Sequence, residues 1–189
     1  MGIALADAAA EYGATVELVL GPVSLTPKNS SIRVINVTTS VSMSAECIAR
    51  FQFCDIAILA AAVADFTPVD VFSTKIKRDE TELTLRLKPT TDIAETLGTN
   101  KKPSQILVGF ALETDNELEN AKAKLLRKNL DIIVLNSLKE VGAGFGYDTN
   151  RITIIDRNNN IDKFELKSKE DAAKDILNKI VAIIQKMSI

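Results

Sequence analysis

Histidine is missing from this chain of 189 residues. With it go Ser-His-Asp and Cys-His catalysis and every histidine-based metal site. The two cysteines, Cys47 and Cys54, fit neither a disulfide framework nor a metal-ligand spacing, and both read as packing residues. There is no excess of basic charge: 23 Lys and Arg against 25 Asp and Glu leave a net charge of -2, so no field is laid out for nucleic acid. No apolar run reaches the roughly 20 residues of a membrane span, and no basic segment leads a signal core. No membrane contact and a cytoplasmic location are therefore expected. Repeats, low-complexity tracts and linkers are also absent, so residues 1–189 read as one domain. Chemistry in such a chain must rest on Lys, Asp, Glu, Asn, backbone amides and a bound ion.

What is present alternates between two periods. Residues 3–12 have helical spacing and Gly13 stands where such a helix stops. Strands are expected at 15–20, 31–37, 55–63, 105–111 and 131–136, the last three apolar on both faces. Helices are expected at 39–53, with Thr39 or Ser40 as N-cap, and at 116–130. Continuously apolar strands alternating with amphipathic helices predict a Rossmann-like α/β fold: a mostly parallel sheet with helices on both faces. The tail differs in style. "RITIID" and "IDKFELK" flank the turn "RNNN" as an antiparallel hairpin, and "SKED" places Ser168 and Asp171 to open a last helix. "TKIKRDETELTLRLK" alternates on either side of a polar turn and predicts a projecting ribbon over about 72–88. Its apolar face of Leu83, Leu85 and Leu87 needs a cover, for which a second copy of the chain is expected.

In a sheet of this kind ligands sit beyond the C-terminal strand ends. Asp65, Phe66, Phe110, Glu113 and Asn136 fall at or past such ends. Asp65 follows the apolar run "AILAAAVADFTP" and either faces a ligand or caps the next turn with Pro68. Ala60, Ala61 and Ala62 would admit a flat group such as a nucleobase, or simply allow close packing. Lys75, Lys77 and Arg78 would serve phosphate oxygens, or form a solvated ribbon face. "GAGFGYDTN" (142–150) is a loop over a site or a plain surface loop. No G-x-G-x-x-G opens a helix after a strand, which argues against an NAD-dependent oxidoreductase.

The order of "GPVSL", "VTTSVSM", "AAVADF", "KIK", "KPTTDI", "VGFALET", "KNLDIIVLN" and "GFGYDTNRITII" resembles the phosphopantothenoylcysteine synthetase (phosphopantothenate–cysteine ligase) family. The resemblance implies a two-step ligation of coenzyme A biosynthesis. CTP, or ATP in eukaryotic members, activates the carboxylate of 4'-phosphopantothenate, and cysteine then attacks the acyl-nucleotidylate. By motif it implies a nucleotide site at Ala61, Ala62, Asp65, Phe66, Lys75, Phe110 and Lys128, with Lys75 also catalytic. It implies weaker substrate roles for Asn136, Phe145, Asp148 and Asn150. Mg²⁺ would come with CTP and without a protein metal motif, and FMN is not expected in this domain. The ribbon would be the arm of a homodimer, and a decarboxylase, fused or separate, would be a partner. Family members carry a first strand and a loop ending Asn-x-Ser-Ser-Gly-Lys ahead of the helix that begins "MGIALA". The chain is therefore expected to be N-terminally truncated, with two strands left without their shared neighbour. The alternative function is an inactive nucleotide-binding and dimerisation fragment.

Overall fold

Two apolar segments make the middle of the sheet. β6 (Ile106–Glu113) and β7 (Ile132–Ser137) run parallel, with Val108 opposite Ile132 and Leu112 opposite Asn136. The computed structural model, which describes residues 1–77, 83–113, 115–137 and 147–187, leaves Leu107, Val108, Ile132, Ile133 and Val134 with no exposed surface. Alternation along these strands supplies two cores. Ile106, Val108, Ile132 and Val134 pack with α1 (Gly2–Glu11) and α5 (Lys169–Met187). Leu107, Ala111, Ile133 and Leu135 pack with α2 (Ser40–Phe51), α3 (Ile93–Asn100) and α4 (Glu117–Arg127). Strands covered on both faces must be apolar at every position, which is why these stretches do not alternate in polarity.

β3 (Ile56–Leu59) lies parallel to β6. On the other side β9 (Ile152–Asp156) is antiparallel to β7, and β10 (Ile161–Lys163) is antiparallel to β9, giving the order β10-β9-β7-β6-β3. The β9–β10 turn is closed by Asp156, whose Oδ1 accepts from the N–H groups of Asn158 and Asn160 at 2.9 and 3.0 Å, while Asn159 takes φ 60°. This is the expected Rossmann-like α/β architecture with its C-terminal hairpin. No helix among the described residues is long and apolar enough to cross a membrane.

Three small sheets stand apart. β1 (Glu17–Leu20) and β2 (Arg33–Asn36) form a parallel pair with no ladder to the main sheet. β4 (Phe66–Pro68) and β5 (Leu87–Pro89) pair antiparallel, as do β8 (Thr149–Asn150) and β11 (Lys167–Ser168). Among the described residues β3 therefore has β6 as its one partner, and its four apolar residues are only half-buried.

The helix ends follow local chemistry. Thr39 caps α2: its hydroxyl accepts from the Ser42 N–H at 3.0 Å, and its own N–H donates to Ser42 Oγ at 3.1 Å. Ser168 caps α5 by accepting from the Asp171 N–H at 3.0 Å. Gly13, at φ 86°, ends α1 in a conformation that suits glycine.

Two expectations are corrected. β3 stops at Leu59 instead of running to residue 63, because its ladder with β6 ends at Gly109 and the following small residues have no strand to pair with. The ribbon has its ladder at the base, between β4 and β5, extended by one bond from the Val69 N–H to the Arg86 carbonyl at 2.9 Å. Residues 70–77 and 83–86 carry no strand pairing, and the expected turn "RDE" (78–80) lies outside the described residues. Leu83, Leu85 and Leu87 are all more than half exposed, so no apolar cover holds the outer ladder in register.

The N-terminal strand ends are fixed by Asp131. Both of its oxygens lie 2.6 Å from Lys101 Nζ, Oδ2 accepts from the Leu107 N–H at 2.7 Å, and Arg157 Nε stands 3.1 Å from Oδ1. Nearby, α3 meets the end of α4 so closely that a Cβ on Gly98 would overlap the Lys128 carbonyl. Backbone cannot yield there. Gly98→Ala is expected to cost about 3 kcal/mol in urea unfolding with an unchanged m-value. Gly109→Ala should cost less, since its Cβ would press on the Leu130 side chain, Cδ1 first, and a side chain gives more readily than backbone.

Candidate functional site

The chain leaves β3 beside α1, where Gly2 lies against Ala60. Ala61, Ala62 and Asp65 are exposed. The backbone of Ala64 and Asp65 is held by Thr90, just past β5: its Oγ1 donates to the Ala64 carbonyl at 2.7 Å and its N–H to the Asp65 carbonyl at 2.9 Å. Among the described residues no group hydrogen-bonds the Asp65 carboxylate, so it caps no turn. Phe66 opens β4 with its ring exposed.

Two residues beyond Thr90, Asp92 caps α3. It accepts from the Glu95 N–H at 3.0 Å, and its Oδ2 lies 2.7 Å from Lys128 Nζ. Burial pushes its carboxyl up, but the bonds from Lys128 and from the Glu95 amide outweigh that and hold it below the ordinary aspartate value. Lys128 is largely buried at the end of α4. One turn earlier on that helix, burial and then the Lys128 charge push the Lys124 ammonium down. Residues 90–92 thus join the backbone of Ala64 and Asp65, through Thr90, to Lys128, through Asp92.

The other candidates are dispersed. Phe110 is half-buried against the α1/α5 core, with the sheet between it and Lys128. Lys75 is exposed in the ribbon, and among the described residues no bond links it to the other candidates. Asn136, at the end of β7, and Asn150, in β8, each keep an Oδ1 buried and, among the described residues, without a hydrogen-bond partner. Such an acceptor costs about 1–3 kcal/mol until something donates to it. Asp148 is exposed, and its carbonyl accepts from the Lys169 N–H at 3.0 Å. Phe145 and the loop 142–146 lie outside the described residues.

Sequence reasoning missed Thr90, Asp92, Lys124 and the helix α3 itself. The signal was "DIAE", an Asp followed three residues on by Glu at the start of an apolar-periodic segment. Burial pushes both thiols, Cys47 and Cys54, up, so neither is a ready nucleophile. Among the described residues no group of three His, Cys, Asp or Glu could hold a metal ion. Two cavities of about 220 and 270 Å³ lie elsewhere, one beside Leu135 and Phe164 and one between α2 and α3.

A mixed sheet, parallel at its centre and covered on both faces by helices, defines a Rossmann-like α/β domain. The chain belongs to the family of DNA/pantothenate metabolism flavoprotein C-terminal domains, which matches residues 1–184. It is 61% identical over 184 residues to a protein named cysteine/cysteine sulfinic acid decarboxylase from an unknown prokaryotic organism, covering 97% of this chain and 51% of that protein. It is 45% identical over 183 residues to the coenzyme A biosynthesis bifunctional protein CoaBC of Bacillus subtilis (strain 168), covering 97% of this chain and 45% of that one. The chain thus spans about half the length of these curated relatives. The crystal structure of the C-terminal domain of a CoaBC protein superposes with TM-score 0.82 at 32% identity, covering 98% of this chain and 82% of that one. A Cab2 mutant complexed with phosphopantothenate-cysteine shares the fold, with TM-score 0.65 at 19% identity, covering 82% of this chain and 54% of that one.

Because the folded Asp92 carboxyl is held low, the unfolded chain binds the extra proton. The stability it contributes is complete above the ordinary aspartate value of about 3.9 and is lost as pH falls through the lowered folded value. Urea unfolding between about pH 6 and pH 3 should therefore show a shallower acid decline for Asp92→Asn than for the parent chain.

Proposed function

We propose that the domain is a phosphopantothenate–cysteine ligase of coenzyme A biosynthesis. A carboxylate oxygen of 4'-phosphopantothenate attacks the α-phosphorus of CTP and expels pyrophosphate. The cysteine amine then attacks the acyl carbon, loses a proton and releases CMP. The observation that carries this reading is the Asp65–Thr90–Asp92–Lys128 grouping past the strand ends, in a chain of this family. Lys128 supplies a cation for the nucleotide, while Ala61, Ala62, Asp65 and Phe66 line its approach and Phe110 lies toward the base. Lys75 brings a second cation to the reacting groups. The unpartnered acceptors of Asn136 and Asn150 suit donors on the substrates, with Asp148 and Phe145 nearby in sequence. Mg²⁺ travels with the triphosphate and neutralises its charge.

A homodimer through the ribbon covers Leu83, Leu85 and Leu87, together with the exposed Val71 and Phe72. A phosphopantothenoylcysteine decarboxylase, fused or separate, is the proposed partner, in keeping with the bifunctional relatives of which this chain spans about half. The second reading is a nucleotide-binding and dimerisation module without turnover. The open setting of Asp65 and Lys75, unpaired among the described residues, favours it.

The deciding measurement is pyrophosphate release with CTP, Mg²⁺ and 4'-phosphopantothenate, cysteine withheld, at enzyme levels that reveal one turnover. Release is expected; nucleotide binding without release selects the second reading. Carbon dioxide formed from cysteine without nucleotide would point instead to the activity named for the relative at 61% identity. Lys75→Ala should slow pyrophosphate release by roughly 10²-fold. Leu85→Asp should convert a sedimenting dimer to monomer before it affects nucleotide binding.

A further inference from the structure

Lys128 is held at both ends by one short helix. Its carbonyl packs directly on Gly98 of α3, leaving no room for a Cβ. The next residue, Asn129, takes φ 51° and donates its Nδ2 to the Gly98 carbonyl at 2.6 Å. At the other end, the Lys128 ammonium lies 2.7 Å from Asp92 Oδ2 at the N-cap of the same helix. Residues 92 and 98 are about 9 Å apart along a helix axis. The lysine is therefore stretched along α3, and its side chain is 12% exposed.

Asp92 cannot swing away freely, since it also accepts from the Glu95 N–H that it caps. An ammonium has three donors, and among the described residues Asp92 takes one of them. The segment that carries Asp92 is the one whose Thr90 bonds the Ala64 and Asp65 carbonyls.

We propose that Asp92 is a positioning residue, holding Lys128 extended so that its ammonium meets an anionic phosphate oxygen of the nucleotide already aimed. This rests on the reading of Lys128 as a nucleotide contact. A side chain ordered beforehand loses no further freedom on binding. The sign of the effect separates this role from its rivals. On charge alone, a carboxylate beside a polyphosphate repels it, so removing that charge should tighten binding. A positioning role requires the reverse.

The experiment measures CTP binding to the chain by calorimetry for the parent, Asp92→Asn, Lys128→Met and the double variant. Asparagine caps helices as well as aspartate, so α3 should persist, and Asp92→Ser gives a second cap-preserving variant if the first does not fold. Lys128→Met should weaken binding by at least about tenfold. Asp92→Asn should weaken it about fivefold, and should weaken it no further once Lys128 is Met. Unchanged or tighter binding by Asp92→Asn, or equal losses with and without Lys128, would overturn the positioning role while leaving the site intact. A Lys128→Met chain that binds CTP as the parent does, or a parent that binds no nucleotide, would overturn the underlying site assignment and this inference with it.

Discussion

A carboxylate at the head of β7 sets where the strands begin. Asp131 gathers Lys101 from the end of α3, the Leu107 amide from β6 and Arg157 from the hairpin turn. The ammonium of Lys101 is almost wholly buried with it. Removing one partner of such a pair leaves an uncompensated charge inside, which is far costlier than losing a surface bridge. Every strand is counted from this point. With β6 and β7 anchored at their starts, their ends fall where Glu113 and Asn136 stand, while Phe110, expected at a strand end, lies inside β6 opposite Val134 because the ladder with β7 carries β6 on to Glu113.

The two ends of the sheet accordingly differ in character. The anchored end has its charges paired and its backbone bonded. At the opposite end the chain leaves β3 through exposed alanines, and among the described residues Asp65 stands without a partner and two asparagine oxygens are buried without donors. Polar groups that the fold leaves unsatisfied mark where it was shaped for something other than its own stability. Thr90 and Asp92 bridge the halves: they tie the loop after β3 to a helix whose far end rests on the anchored side.

Much of this could be read from the chain. "ILVGF" and "DIIVLN" are apolar without alternation because both faces of β6 and β7 are covered. The caps at Thr39 and Ser168 were legible because a cap is a local matter of a hydroxyl and an amide three residues apart. Ladder lengths were not legible, since they depend on a neighbour. The ladder of β3 ends at Leu59, where the chain departs while β6 runs on to Glu113, and among the described residues the ribbon pairs at its base, where its leucines lack a cover. The Asp92–Lys128 pair joins residues 36 positions apart (92 to 128), and only the close approach of α3 to α4 at Gly98 brings them together. The motifs of the family gave roles to Asp65 and Lys128 individually, while "KPTTDI" carried Thr90 and Asp92 without a role for either.

β5 runs without interruption from the ribbon into Thr90 and on to the cap of α3. In mechanical terms the ribbon is a handle and this segment is its strut. A rocking of the handle is resisted first by two hydrogen bonds to the loop after β3 and then by one ion pair on α4. Whatever grips the exposed leucines of the ribbon also stiffens the mount on which the lysine is carried.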